Sequence, residues 1–194
     1  MKNWRAIILL IPVGAAGLAG CGSVEGEAAG GASTSVAAEP AAFHFESGDL
    51  ALGEFDPHAI GDGLFDPCAE ISDEEFAAAG FSGKHSLGYD AVTQRSGCYF
   101  ESADDRVMVG FVSTAANKDV AMQQAEVVTD ANLGTVPGIY VVIPRQGGGD
   151  CYAIVDTVRG ALAAAASSVD VNEDSAHLCA EARHGLEALY SLGK

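Results

Sequence analysis

Apolar and polar positions are arranged along this chain in three regimes. Residues 6–13 are an unbroken apolar run behind a basic start. Residues 22–42 are small and polar without an aromatic, and from Phe43 onward large apolar side chains return in periodic patterns. The most sharply bounded element is a helix over 73–79. Ser72 is placed as its N-cap, Glu75 completes a capping box, Ile71 and Phe76 form a hydrophobic staple, and Gly80 supplies the left-handed stop.

Strand periodicity follows. Residues 97–101 read as a strand, 102–105 as a turn, and 106–113 alternate Val107, Val109 and Phe111 against Met108, Gly110 and Val112, which predicts a hairpin. Asn117 can cap a helix over 117–130, in which Val120, Ala121, Gln124, Val127 and Val128 recur at helical spacing. Residues 139–143 form a short β-branched strand stopped by Pro144, residues 146–150 form a turn, and 151–158 form a longer strand. The alanine run 161–166 favours helix by propensity, but the two-residue link Arg159-Gly160 after a strand favours a hairpin partner, and strand is the reading taken.

A closing helix over 173–192 is amphipathic. Leu178, Ala182, Gly185, Leu186 and Leu189 share one side, and Glu173, His177, Glu181, His184 and Glu187 the other. These elements predict one α+β domain over 61–194, with an antiparallel sheet of about five strands packed with two or three helices and braced by two disulfides. A hydrophobic share of 48% is compatible with such a core. Residues 21–60 read as a flexible linker, too poor in large apolar groups over most of its length to offset ordering entropy.

The start of the chain fixes an expected compartment. A basic segment, a short apolar run and a small-residue cleavage site occur in the order of a secretory signal peptide over 1–20, and the apolar part is too short and glycine-broken for a spanning helix. Leu18-Ala19-Gly20-Cys21 resembles the bacterial lipobox. That resemblance implies lipid transfer to the Cys21 thiol, cleavage before it, and a protein anchored on the outer face of the cytoplasmic membrane. Two acyl chains, at about 0.8 kcal/mol per buried methylene, suffice for stable anchoring.

Charge narrows the partners. The formal net charge is −17, and loss of Lys2 and Arg5 with the leader would leave 8 basic residues against 27 acidic ones. Such a surface repels nucleic acid and anionic headgroups, which excludes polyanion binding as an expected function.

With Cys21 set aside for lipid, Cys68, Cys98, Cys151 and Cys179 remain, an even number for an oxidising compartment. Three pairings are open. Cys68 with Cys98 and Cys151 with Cys179 are favoured, because each would join a helical segment to a strand start.

No catalytic, metal or cofactor site assembles from local motifs. Asp170, Asn172, Asp174 and Glu181 stand at calcium-loop positions, but Ser175 replaces the turn glycine and a capping loop explains the acids. Glu173, His177, Glu181 and His184 have zinc-ligand types on one helix face but lack the paired-histidine spacing, and an exposed polar face explains them. Ser82 and His85 lack a nucleophile-elbow context, Asp73-Glu74 and Asp104-Asp105 sit where solvated acids are ordinary, and Gly147-Gly148-Gly149 lacks the lysine of a phosphate loop.

Phe65-Asp66-Pro67-Cys68, Ile71-Ser72-Asp73-Glu74-Glu75-Phe76 and Gly80-Phe81, followed by Cys98-Tyr99, Val136-Pro137-Gly138-Ile139 and the last two cysteines, resemble a family of actinobacterial lipoproteins, domain-of-unknown-function family 3558. Phe100 and Ile139 stand where that family often has Trp and Arg. The resemblance implies a surface-exposed lipoprotein with an α+β domain and two disulfides, and it supplies no activity. The expected function is a lipid-anchored envelope module, non-catalytic, that binds a small ligand or an envelope protein. The alternative is an envelope hydrolase or transferase whose residues meet only in three dimensions, with His85 or His177 hydrogen-bonded to a carboxylate or hydroxyl in a deep pocket. A third class, a structural or sensory accessory to a membrane complex, would expose a large apolar patch.

Overall fold

The computed structural model describes residues 40–100, 106–129, 134–145, 149–170 and 172–194. The leader, Cys21 and most of the expected linker lie outside these residues, as do the turn over 102–105, residues 146–148 and Val171. No helix among the described residues is long and apolar enough to cross a membrane.

The chain enters through a hairpin, β1 (Ala42–Phe45) and β2 (Gly48–Ala51). Alternation places Phe43, Phe45 and Leu50 inward, all buried. Gly48, at φ +129°, turns the corner in a conformation that side chains rarely adopt. The domain therefore begins upstream of the expected boundary at residue 61. Composition hides this, because three large apolar residues are scattered among Glu46, Ser47, Gly48 and Asp49.

Two short helices follow. In α1 (Pro67–Glu70) proline occupies the first turn and Asp66 accepts the N–H groups of Cys68 and Ala69. In α2 (Asp73–Ala78) both arms of the capping box are present: Glu75 N–H donates to Ser72 Oγ at 3.2 Å, and Ser72 N–H to Glu75 Oε2 at 2.9 Å. Gly80 ends the helix at φ +94°. The single-turn link Ile71-Ser72 thus sits between two capped helix starts, which holds α1 and α2 as a rigid corner.

A sheet of seven antiparallel strands forms the body, in the order β3 (His85–Asp90), β4 (Arg95–Phe100), β5 (Val107–Thr114), β9 (Gly160–Ser168), β8 (Asp150–Thr157), β7 (Tyr140–Pro144) and β6 (Ala125–Thr129). The sheet is larger than the expected five strands because both edges escape the pattern. Strand β3 is exposed at all six positions and slips register between Ser86 and Gly88, so it shows no alternation. Strand β6 occupies what the periodicity assigns to the second half of a helix. The helix α3 (Lys118–Gln124) starts under the Asn117 cap as predicted, but at Ala125 the backbone turns extended. Pairing of Ala125, Glu126 and Val127 with Pro144, Ile143 and Val142 satisfies the free edge of β7, and the β-branched run suits a strand.

Strand β9 is the alanine run, and it is a strand as read from the Arg159-Gly160 link. It lies between β5 and β8 and is paired along its whole length on both sides. On one face Leu162, Ala164 and Ala166 meet α4 (Ser175–Tyr190), whose Leu178, Ala182, Leu186 and Leu189 are buried. Small residues set the distance. A Cβ on Gly185 would stand 3.5 Å from that of Ala164, ordinary contact, so helix and sheet lie close but not at their limit. Phe76, Phe81, Phe100 and Phe111 fill the rest of this closed face beside α2, and Phe43 meets Tyr190 edge-on at 5.2 Å.

Among the described residues there is one disulfide. Cys151 and Cys179 are bonded, joining the start of β8 to the first turns of α4 as expected. The second bridge is a correction. Cys68 and Cys98 lie next to one another, within hydrogen-bonding contact, but are free thiols. Cys98 is fully buried, and burial followed by the Cys68 hydrogen bond pushes its thiol well above the ordinary range.

In a Cys21→Ser chain, thiol titration in denaturant under oxidising conditions should therefore count two free thiols. Replacing Cys151 and Cys179 by Ala should lower unfolding stability by about 3 kcal/mol, from the loop of about thirty residues that the bond closes. Phe76, whose ring lies 4.5 Å from that of Phe100, should cost about 3–5 kcal/mol as Phe76→Ala, read as a lower denaturation midpoint.

Candidate functional site: the open face of the sheet

The other face of the sheet is built from the alternate residues of the same strands. Across it run Gly97, Val112, Ala163, Ile154 and Tyr140 in one row, and Tyr99, Gly110, Ala165, Tyr152 and Val142 in the next, by the strand registers. The middle residue of both rows is alanine. Among the described residues no long helix covers this face. Instead α3 stands along the β6–β7 side and the β3–β4 hairpin along the other, and between them lies a hollow of about 1020 Å³.

The α3 wall is pinned by a polar contact on this face. Asp156 accepts the Lys118 N–H at 3.2 Å and the Tyr140 hydroxyl at 3.4 Å, and the Lys118 ammonium lies over the Tyr140 ring. Tyr140 is buried, which pushes its phenol up, and burial also raises the Asp156 carboxyl despite these donors. Ala125, Tyr140, Val142, Ile154, Ala161 and Ala163 form a small core of their own beneath the wall, with Phe55, Ala121 and Met122 against it. Placement of α3 thus rests on one buried carboxylate and a patch of apolar contact.

The floor of the hollow is apolar, from Val112, Ala163, Ile154, Val142 and Ala125, with Leu87 and Pro144 at its margins. Its rim is polar. Arg95, Thr114 and Thr93 stand toward the hairpin, Gln123, Gln124 and Arg145 toward α3, and Asp150 and Tyr152 on β8. Arg145 is engaged, its guanidinium donating to the Gln123 carbonyl at 2.9 Å. Asp90 is engaged too. The Thr93 hydroxyl and the Val92 N–H hold its carboxyl below the usual range, and Arg95, its register partner, adds to this. Burial raises both Asp150 and the Tyr152 phenol; Asp150 adds to the rise at Tyr152, and Arg95 opposes it.

The residues singled out from sequence lie elsewhere. Cys68 and Cys98 sit on the closed side with α1, where the Lys84 ammonium donates to the carbonyls of Cys68 and Ile71 and pairs with Asp73 at 2.7 Å. Asp174 caps α4 and Asp170 folds onto Asn172, so the acidic loop makes the contacts of a helix cap. His177 pairs with Glu173 at 2.8 Å on the outer side of α4, His44 pairs with Asp49 at 2.8 Å on the first hairpin, and His85 stacks on Tyr99. The structure brings none of the three to the lining of the hollow, nor Ser82, nor Asp73 and Glu74. Among the described residues no group of three or more His, Cys, Asp or Glu side chains could hold a metal ion. Asp104, Asp105, Gly147 and Gly148 lie outside those residues.

Sequence reasoning missed the hollow and its rim. One signal was available: once 161–166 is a strand, Ala161, Ala163 and Ala165 form a face too small to fill the space above it.

A family model described as "Protein of unknown function (DUF3558)" matches residues 16–192. No curated protein and no solved structure matches the chain. The matched span takes in the nine strands and four α-helices of the described residues, including the walls and floor of the hollow. It extends well upstream of the segment whose motifs carried the resemblance. The chain belongs to the DUF3558 family of proteins of unknown function.

Proposed function

We propose that this protein is a lipid-anchored module of an actinobacterial cell envelope, carried on the outer face of the cytoplasmic membrane through Cys21, which holds a ligand in the hollow on the open face of its sheet. The observation that carries the binding role is the hollow itself: about 1020 Å³, apolar at the floor, polar at the rim, and walled by elements that pack independently of any ligand. The anchor and compartment are supported by the basic and apolar leader and by the lipobox that ends at Cys21. The role is non-catalytic. A hydrolase or transferase would need a nucleophile and base facing the hollow, and the histidine–carboxylate pairs of the described residues lie on outer surfaces instead.

Two outcomes are expected. In an actinobacterial host the wild-type chain should partition with membranes and its mature amino terminus should be an acylated Cys21 by mass spectrometry, whereas Cys21→Ser should shift it to the soluble fraction. In thermal unfolding of the Cys21→Ser chain against lipids, glycans, wall fragments, calcium and zinc, a ligand of the hollow at 100 times its Kd should add about 2.7 kcal/mol of stability. Ala163→Phe should remove that shift. A panel without any shift, or a shift that survives Ala163→Phe, would sink the hollow as the binding site.

A further inference from the structure

We infer that the hollow takes an amphiphile with one anionic headgroup, its apolar body on the alanine floor and its head at Arg95. The inference rests on the hollow being the ligand site and adds the ligand's chemistry. Consider the floor first. The face of a sheet offers side chains only, since the N–H and C=O groups of β5, β9 and β8 are committed to the ladder. Val112, Ala163, Ile154 and Val142 present carbon and nothing else. A peptide or a sugar laid there would bury amides or hydroxyls without partners, whereas a hydrocarbon chain has none to bury. The volume, about 1020 Å³, is at the large end for small-ligand sites and fits a body longer than an amino acid or monosaccharide.

The rim selects the head. In a chain of net charge −17 this hollow carries two arginines against two aspartates. Arg145 is bonded to a carbonyl and Asp90 is bonded within its own turn, while Asp150 stands apart on β8. That leaves Arg95 with donors to offer, its charge felt at the Tyr152 phenol across the floor. Its register partner Thr114 accepts from the Ala116 N–H, so its hydroxyl proton is free to donate into the same place. A guanidinium and a hydroxyl are a donor set for a carboxylate or a phosphate.

The test is titration of the Cys21→Ser chain, whose own acyl chains cannot compete, with hexadecanoate, hexadecyl phosphate, hexadecanol and hexadecylammonium, each kept below its aggregation threshold. One equivalent of an anionic probe should bind at least about tenfold tighter than the alcohol or the ammonium. Preference between carboxylate and phosphate tells a fatty acid from a phosphorylated lipid. Arg95→Gln should bring the anion down to the alcohol's affinity, and Ala163→Phe should abolish both. Val112→Lys blocks the same floor from β5 if Ala163→Phe does not fold. Equal or tighter binding of the alcohol or ammonium, blocked by the floor variants, would overturn the anionic head and leave the hollow as a site. Binding indifferent to the floor variants would overturn both readings. No binding of any of the four overturns the amphiphile, and a glycan or wall-fragment shift removed by Ala163→Phe would still uphold the site.

Discussion

The structure depends on a strand that is buried on both faces and has almost no side chains. Strand β9 is paired with β5 on one side and β8 on the other, and its alternate alanines serve different purposes. On the closed side their size lets α4 approach until Gly185 lies over Ala164, and the bond between Cys151 and Cys179 fixes that approach. On the open side the same small size leaves a trough. Larger residues at 164 or 166 would push α4 away, and larger ones at 163 or 165 would fill the hollow. Close packing on one face and a cavity on the other thus have a single cause in the sequence.

The hollow persists because its walls are held from behind. Asp156 and Tyr140 tie the start of α3 to the sheet, and the chain then passes straight from helix into β6, so the wall has no slack at its far end. Across the floor β4 is paired with β5, but the edge strand β3 is held mainly by its ladder to β4 and by the Asp90 turn. The two sides differ in stiffness for that reason. Local opening is drawn from elements with few buried contacts, and every residue of β3 is exposed.

How much of this is legible in the sequence depends on whether the information is local. The Ser72 and Glu75 box, the Asn117 cap, the Gly80 stop and the pairing partner of Cys151 can be read because the deciding contacts lie within a few residues or within one periodic face. Strand β3 cannot be, since Leu87 and Tyr89 point into solvent and leave no alternation to detect. Val127 and Val128 fit a helical period and a strand equally well, and the edge of β7 decides between them. Cys68 and Cys98 lie beside each other, yet no bond joins them, and no spacing records that. The hollow is a property of four strands at once: Arg95 and Tyr152 meet across the floor only after β5, β9 and β8 are in register.

The first hairpin has a mechanical consequence. Residues 42–45 are core and linkage at once: Phe43 is wedged against Tyr190, Phe45 stacks on Phe65, and the ladder to β2 is completed by Leu52 bonding the Ala41 carbonyl. Any pull on the chain upstream of residue 40 enters the domain at the open end of this hairpin. It must strip the Ala41 and Ala42 bonds before it reaches Phe43. Beyond that point the load passes to Tyr190 at the end of α4, and through Leu52 and its bridge to Thr157 into β8. The helix and strand that receive this force are the two that the disulfide joins at their other ends, so tension applied at the amino terminus falls on a covalently linked pair.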